Sequence, residues 1–252
     1  MPGSNCTFNI LNSVDSTNNY AMAKVHAGLA NHGDAWFALQ QTSGKGQRGK
    51  KWMTGNGDNI ALSIVLKPAP LFISMQFRLS AAVALACHKF FSKYAGEATS
   101  IKWPNDIYWR DRKAGGILIE NVIGPAAPST DSSWKYAVVG IGFNINQTSF
   151  EPSLANPVSL KQVTGRQYVP VILAKELLQL VLEYAELACN EPFDILLEQY
   201  NQLLYKKNQV VQFKKNDTEL NCTVKAVTAD GKLHCIHQTD EYFNFGEIEW
   251  LL

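Results

Sequence analysis

The hydrophobic pattern of this chain changes its period near residue 206. Before that point, apolar residues recur at helical spacing in four segments and form short continuous runs between them. The helical segments are residues 18–29, 74–94, 170–188 and 193–205. Beyond it, apolar and polar residues alternate in short runs, with Asp230-Gly231 as a hairpin turn. The pattern predicts an α+β domain over residues 1–205, followed by a small β-barrel domain over residues 206–252.

Five short apolar or aromatic runs predict the strands of the first domain. They are residues 35–41, 59–66, 100–103, 114–122 and 136–145. Runs of this length and composition suit strands that are buried on at least one face. Residues 74–94 carry apolar side chains at helical intervals and are expected to lie along such a sheet as a helix.

Composition argues against several classes of protein. No apolar stretch reaches the length of a transmembrane helix, and residues 1–11 lack the basic and apolar regions of a secretion signal. The formal net charge of +1 argues against broad electrostatic binding to nucleic acid. The five cysteines include no C-x-x-C pair and suit reduced thiols. We therefore expect a cytoplasmic protein without a membrane partner.

A glycine-rich basic loop lies between the first two predicted strands. Residues 42–52 contain three glycines and the cations Lys45, Arg48, Lys50 and Lys51. Glycines let backbone N–H groups approach a phosphate, and the cations supply charge to hold it. The loop therefore predicts an anion site, with a solvated basic hairpin as the open alternative.

Residues 44–50 of the same loop also fit the G-x-x-x-x-G-K core of a nucleotide-binding P-loop. A P-loop needs a Ser or Thr after the lysine to bind magnesium, and a helix immediately afterwards. Position 51 is lysine, and residues 52–57 are typical of a turn. The context therefore argues against a P-loop.

A second polar segment, Lys102-Trp-Pro-Asn-Asp106, begins at the end of the third predicted strand. Pro104 interrupts the strand, so Lys102, Asn105 and Asp106 are expected at a bend beside an apolar sheet. Lys113 then precedes another apolar strand, in which two adjacent glycines permit close approach of a ligand. The pattern suits a binding site, and a tight turn with solvated charges remains the alternative.

Five motifs, taken in order, resemble those of the biotin protein ligases. They are Asp15-Ser-Thr-Asn18, residues 41–52, Lys102-Trp-Pro-Asn-Asp106, residues 112–120 and Gly140-Ile-Gly-Phe-Asn-Ile-Asn146. The resemblance spans roughly residues 10–205, and the final β segment fits the family's small C-terminal domain. It implies a mixed sheet packed with helices, like that of class II synthetases, followed by a small β-barrel.

The resemblance implies a two-step reaction with biotin and ATP as substrates and Mg²⁺ as the metal. The biotin carboxylate attacks the α-phosphate of ATP, which gives biotinyl-5'-AMP and pyrophosphate. A lysine of a biotin carboxyl carrier protein then accepts the biotin. Two anions must meet in the first step, so such a site needs cations and backbone donors.

The same resemblance assigns roles to single residues. Those matched to biotin binding are Ser16, Thr17, Asn18, Gln41, Gly44, Lys45, Trp52, Lys113, Gly115 and Gly116. Those matched to nucleotide binding are Gly46, Gln47, Arg48, Trp52, Lys102, Asn105, Asp106 and Asn144. Asp106 is also matched to the metal. Lys113 is the leading catalytic candidate, because it matches the lysine that contacts both the biotin carboxylate and the α-phosphate, and Lys45 is the second.

The basic loop departs from the family pattern, which commonly reads Gly-Arg-Gly-Arg. Lys45 and Gln47 occupy the two arginine positions, and Arg48 is displaced by one residue. Lysine keeps the charge without the bidentate fork of arginine, and glutamine keeps only neutral hydrogen bonding. We predict that Gln47→Arg slows release of the adenylate.

Several alternatives remain open at this stage. A lipoate or octanoyl ligase or transferase would share the fold but bind an acyl chain, and a non-catalytic module would bind biotin or nucleotide without a usable Lys113. About ten residues precede the first motif, too few for the DNA-binding domain of some family members, so we expect no DNA partner. Edge strands beside the basic loop could pair in a homodimer or present an edge to the carrier.

Overall fold

The computed structural model of the protein describes residues 6–52, 57–124 and 133–251. Its strands are β1 Phe8–Val14, β2 Ala35–Gln41, β3 Ile60–Leu66, β4 Thr99–Lys102, β5 Asp106–Trp109, β6 Arg112–Ile123, β7 Trp134–Phe143, β8 Val210–Lys215, β9 Thr218–Val227, β10 Leu233–Ile236, β11 Asp240–Phe243 and β12 Glu249–Leu251. Its α-helices are α1 Thr17–His26, α2 Gln76–Ala95, α3 Leu160–Thr164, α4 Pro170–Asn190 and α5 Phe193–Gln202.

The first seven strands form one sheet in the order β1-β2-β3-β7-β6-β5-β4. Strands β1 and β2 run parallel, and every other neighbouring pair in the sheet is antiparallel. The predicted mixed sheet is thus confirmed, and each predicted run contributes a strand. Strands β1 and β5 and the short helix α3 were not predicted.

Helices cover both faces of this sheet. Helices α2 and α4 pack on one face, where Phe90 and Phe91 of α2 lie against Phe143 of β7. Helix α1 packs on the other face, where its Ala21 and Val25 meet alternate residues of the central strands. This alternation follows from the period-two geometry of strands, which sends successive side chains to opposite faces. The face that carries α1 also carries the candidate site.

The C-terminal strands form a second sheet, whose antiparallel order is β11-β10-β9-β8-β12. Asp230-Gly231 lies in the predicted turn between β9 and β10, and Gly231 has a φ of 86°. The predicted small β-barrel is wrong, because β11 and β12 stand at opposite ends of the order and the described residues show no pairing that closes it. Closure requires a matched register between first and last strands, which alternation does not encode.

The two sheets share one apolar core. Val211, Phe213 and Leu233 of the C-terminal sheet belong to the same buried cluster as helix α2. The indole of Trp103 also donates a 2.9 Å hydrogen bond to the carbonyl of Gly231. The domain boundary at residue 206 stays a prediction. Residues 53–56, part of the predicted turn after the basic loop, lie outside the described ranges.

Across the described part of the chain, every helix is too short or too polar to cross a membrane.

Candidate active site

A cavity of about 470 Å³, counting its open side, lies on the α1 face of the large sheet. It is bounded by the start of α1, the basic loop after β2, the middle of strand β6 and the end of strand β7. Its lining residues are Ser16, Thr17, Asn18, Gln41, Lys45, Gly46, Gln47, Trp52, Ala61, Asn105, Lys113, Gly116, Ile117, Leu118, Gly140, Ile141 and Gly142. All five resemblance motifs contribute residues to this lining: those at residues 15–18, 41–52, 102–106, 112–120 and 140–146.

Two glycines of β7 form the floor of the cavity. Ser63, Gly140 and Leu118 lie side by side across three strands, and so do Ala61, Gly142 and Gly116. A Cβ at Gly140 would collide with the side chain of Asn18, and a Cβ at Gly142 would collide with the indole of Trp52. Because these glycines have no side chain, Asn18 and Trp52 can pack directly against the backbone of β7.

The end of the cavity beneath α1 is polar. Ser16, Thr17 and Asn18 are all buried at the helix start. The amide oxygen Oε1 of Gln41 accepts a hydrogen bond from the Thr17 backbone N–H at 2.8 Å and lies 3.1 Å from the Thr17 hydroxyl. Ser63, buried below them, lies 2.7 Å from the Thr17 hydroxyl and 2.6 Å from the Asn18 amide oxygen. Buried groups of this kind hold fixed orientations and can match the donors and acceptors of a ligand.

The basic loop folds back over the cavity as a short hairpin. Residues Lys45 and Lys51 form an isolated antiparallel bridge, and the backbone N–H of Trp52 donates to the carbonyl of Gly44 at 2.9 Å. The indole Nε1 of Trp52 is buried and finds no hydrogen-bond partner among the described residues. The loop thus places Trp52 beside the cavity with an unused donor.

The loop cations do not all point into the cavity. Lys45 lines it and pairs with Glu120 at 3.6 Å. Gln47 also lines it, where its amide nitrogen donates to the Ile117 carbonyl at 3.4 Å and its oxygen is buried without a partner among the described residues. Arg48, by contrast, donates to the Gly246 carbonyl at 3.3 Å and is not among the lining residues.

Lys113 is the second residue of strand β6, and its side chain lies on the cavity side. Its ammonium lies 2.7 Å from Oδ1 of Asp106 and 6.0 Å from the centre of the Trp52 ring. Asp106 starts β5 and pairs with Gly116 across to β6, which brings its carboxylate to the lysine. The Lys113 side chain remains 33% exposed, so it can reach a ligand in the cavity. Lys113 and the basic loop therefore share one cavity.

Lys102 provides a further cation beside Asp106. Its ammonium lies 4.8 Å from the centre of the Tyr108 ring and 5.2 Å from that of Trp250 in β12. Burial lowers the pKa of Lys102 to about 8, an effect that the Asp106 carboxylate opposes and the Lys113 ammonium adds to. A buried cation gains most from a bound anion, which suits a phosphate contact.

Several residues matched by the resemblance do not line the cavity: Arg48, Lys102 and Asp106 lie outside the lining, and so do Gly115 and Asn144. Gly115 faces the opposite side of the sheet, where a Cβ would meet the Phe143 ring. The Asn144 side chain is buried and donates to the Val158 carbonyl at 3.2 Å. Gly44 is not among the lining residues either, but it gives close approach to the Trp52 backbone and the Gln41 side chain. These positions shape the strands and loop around the site.

Among the residues that escaped the sequence-based assignment, four shape the site by a polar group or by a missing side chain. They are Ser63, Glu120, Gly140 and Gly142. Both glycines belong to the Gly140-Ile-Gly motif, and their spacing of two on a predicted strand puts them on one face. That spacing was a usable signal. Ser63 and Glu120 carry no comparable signal, because their roles depend on which strands become neighbours.

The described residues contain no cluster of three or more His, Cys, Asp or Glu side chains that could hold a metal ion. Asp106 is a single carboxylate near the cations. Mg²⁺ is commonly held by one or two carboxylates together with substrate phosphates and water, so one carboxylate fits an ion that arrives with a nucleotide.

Comparison with known proteins identifies the family. The model of the biotin/lipoate A/B protein ligase family matches residues 10–144. The chain belongs to this family. That segment contains all residues lining the cavity.

Curated relatives in the family are about a third identical to this chain over the aligned segments. The biotin–[acetyl-CoA-carboxylase] ligase of Paracoccus denitrificans is 34% identical over 169 residues, which cover 64% of this chain and 65% of that protein. The bifunctional ligase/repressor BirA of Escherichia coli is 32% identical over 149 residues, which cover 58% of this chain and 43% of BirA. The match thus spans less than half of BirA.

Solved structures extend the likeness over nearly the whole chain. The biotin protein ligase of Aquifex aeolicus in complex with biotin and ATP superposes with a TM-score of 0.79 at 20% identity. It covers 97% of this chain and 98% of that one. The likeness confirms the predicted biotin-ligase fold, in which the family's C-terminal segment is here an open five-stranded sheet.

Proposed function

We propose that this protein is a biotin protein ligase, which activates biotin with ATP and transfers it to a lysine of a biotin carboxyl carrier protein. One observation carries the proposal: Lys113, the basic loop and the polar start of α1 line a single cavity. Such a cavity can hold a small polar ring at one end and concentrate positive charge at the other. The names of the Paracoccus and E. coli relatives support the same activity.

The polar end of the cavity favours biotin over lipoate. Thr17, Asn18 and Gln41 present hydroxyl and amide groups beneath α1. The ureido ring of biotin carries two N–H donors and a carbonyl acceptor that can use such groups, whereas the dithiolane ring of lipoate offers none. Buried polar groups left without partners cost free energy, so a site of this kind rejects a ring that cannot pair with them.

The cations suit the first half-reaction. A biotin carboxylate oxygen forms a bond to the α-phosphorus of ATP, and the bond from that phosphorus to the pyrophosphate oxygen breaks. Lys113 can contact both the carboxylate and the α-phosphate, because its ammonium lies on the cavity side beside Trp52. Lys45 in the cavity lining and Lys102 near Asp106 and Lys113 add positive charge, which offsets the repulsion between the two anions.

Asp106 would take part in holding Mg²⁺ on the phosphates. A bound magnesium ion neutralises phosphate charge and supports departure of pyrophosphate. In the second half-reaction the uncharged amine of the carrier lysine attacks the acyl carbon of the adenylate. An amide bond forms, AMP leaves with the electrons of the anhydride bond, and the amine proton passes to solvent.

The decisive experiment supplies the purified protein with biotin, ATP and Mg²⁺ and measures pyrophosphate. A biotin carboxyl carrier domain is then added, and its mass is followed for the gain of one biotin. Lipoate and octanoate replace biotin in parallel reactions, and a chelator replaces Mg²⁺ in another. We expect biotin to support release of pyrophosphate, and lipoate and octanoate not to. Turnover of lipoate or octanoate instead would assign the protein to the other branch of the family, and binding without pyrophosphate would make it a non-catalytic module.

A further inference from the structure

A continuous chain of polar contacts runs beneath the cavity from the start of α1 to the basic loop. Thr17 contacts Ser63, and Ser63 contacts the Asn18 oxygen Oδ1. The Asn18 nitrogen Nδ2 donates to Oε2 of Glu120 at 2.9 Å, and Oε1 of Glu120 lies 3.6 Å from the Lys45 ammonium. The interior members Thr17, Asn18 and Ser63 are all buried. Glu120 carries the single carboxylate in this chain of contacts.

The Glu120 carboxylate at 2.9 Å, with the Leu118 backbone carbonyl beside it at 3.4 Å, fixes the direction of each hydrogen bond in this chain of contacts. An ionised carboxylate can only accept, so it holds the NH₂ of Asn18 toward itself. The Asn18 oxygen must then face Ser63 and can only accept in turn. Ser63 has a single hydroxyl proton, which is consequently committed to Asn18.

This order leaves a defined pattern at Thr17. Because the Ser63 proton is committed to Asn18, Ser63 can only accept from Thr17, and the Thr17 hydroxyl donates inward to Ser63 or to Gln41. Its lone pairs are then free to accept a hydrogen bond from a ligand. Thr17 lines the cavity, so an N–H group entering the polar end would meet an acceptor there.

We propose that Glu120 sets the donor and acceptor pattern of the polar end of the cavity and so selects a ligand ring that presents N–H donors. The proposal rests on the proposed function, since it assigns a specificity role within the same site. Glu120 is a positioning residue, because it acts through Asn18, Ser63 and Thr17 and is not among the residues that line the cavity. The Gly140 notch supports this arrangement, since it seats Asn18 between Ser63 and Leu118.

The matched variant is Glu120→Gln, which keeps the size of the side chain and removes its charge. An amide at position 120 no longer enforces one orientation: it can accept from Asn18 as Glu120 does, or donate to Oδ1 of a reversed Asn18, whose NH₂ then faces Ser63. Ser63 would in turn donate to Thr17 and occupy one of the lone pairs that the ligand uses. The preference for an N–H group at Thr17 should therefore weaken.

The test compares dissociation constants of biotin and of two cyclic carbamates, in each of which one ureido N–H is replaced by an oxygen atom. Titration calorimetry measures binding directly and needs no turnover. We expect the wild-type protein to bind one carbamate at least about tenfold more weakly than biotin, the size expected for a lost buried hydrogen bond. Glu120→Gln should reduce that ratio several-fold, and an unchanged ratio would overturn the proposal.

A double-mutant cycle with Ser63→Ala tests the path through the side chains. Without the Ser63 hydroxyl, the orientation of Asn18 cannot reach Thr17, so Glu120→Gln should no longer change the carbamate ratio in that background. An equal effect of Glu120→Gln with and without Ser63 would show that the charge acts by another route. Thermal unfolding shows whether Glu120→Gln is folded. If it is not, Glu120→Ala takes its place, with the same expected loss of selectivity.

Lys45→Met separates this role from the ion pair with the loop. It removes the Lys45–Glu120 pair and keeps the Asn18 bond, so the carbamate ratio should stay at the wild-type value while adenylation falls. If Lys45→Met lowers the carbamate ratio as far as Glu120→Gln does, the selectivity comes from the ion pair, and the proposed action of Glu120 through Asn18 and Ser63 is refuted. If the wild-type protein does not bind biotin at all, the proposed function fails, which is distinct from failure of the inference.

Discussion

The Lys113 ammonium lies 2.7 Å from the carboxylate of Asp106 at the start of β5. The two residues come from neighbouring strands, and the pairing of Asp106 with Gly116 brings them together. A partly exposed lysine held by a single counterion is placed in advance, so a bound anion can take over the contact without a large movement. The geometry leads to predictions for each part of the site.

Replacement of Lys113 by methionine should remove adenylation more than binding. The side chain keeps its length but loses the charge that would stabilise the α-phosphate, a loss of about 10²–10³-fold in kcat for a comparable electrostatic contact. Pyrophosphate release measures the rate, and calorimetry measures biotin binding. Lys89→Met is the matched control, since Lys89 forms an exposed ion pair with Glu183 and should turn over normally. Full activity of Lys113→Met would contradict the catalytic role.

Substitutions of the two glycines on the cavity floor should have different effects, one on biotin binding and the other on retention of the adenylate. In Gly140→Ala the new methyl group collides with Asn18, and in Gly142→Ala it collides with Trp52. The first variant should weaken biotin binding, while the second should displace the indole and speed release of the adenylate. Equilibrium binding of biotin and the dissociation rate of biotinyl-5'-AMP measure the two effects. Identical defects in both variants would mean that the glycines serve only to pack the sheet.

Gln47→Arg should slow release of the adenylate. Gln47 lines the cavity with a neutral amide, and its oxygen is buried without a partner in the described structure. A guanidinium there would add a charged fork toward the phosphate. Stopped-flow fluorescence gives the off-rate, with Gln202→Arg on the exposed surface of α5 as a control for added charge. The same off-rate in Gln47→Arg and wild type would refute the prediction.

The value of kcat/KM for ATP should fall as the pH rises through about 8. Burial lowers the pKa of Lys102 to about 8, so above that pH the free protein loses a positive charge beside the phosphate region. The groups that act on this ammonium are Asp106, Lys113, Lys50, Glu249 and Tyr108. The value of kcat/KM for ATP against pH should break near 8. In Lys102→Arg the guanidinium stays charged and the break should move to higher pH; a break that stays near 8 would assign it to another group.

The strands and helices were largely predictable because each has a local pattern. Residues 74–94 and 170–188 show helical spacing and became α2 and α4, and the apolar runs became central strands. Strand β1 was missed because Asn9, Asn12 and Ser13 interrupt its apolar residues, so that Phe8–Val14 shows no apolar run and gains its place only by pairing with β2. Strand β5 was missed because Asp106–Trp109 follows directly on the bend at Pro104, to which Asp106 was assigned.

The sequence alone determined the family, the order of the elements and the segments that form the site, because motif spacing and hydrophobic period are local properties of a chain. Only the tertiary structure decided the rest. Strand pairing placed Ser63 and Leu118 on either side of Gly140, linked Glu120 to Asn18, and turned Gly115 away from the cavity while Gly116 faced it. It also left the C-terminal sheet open. Contacts between residues far apart in sequence depend on register and on the direction of each side chain, and neither is written in the pattern of a single segment.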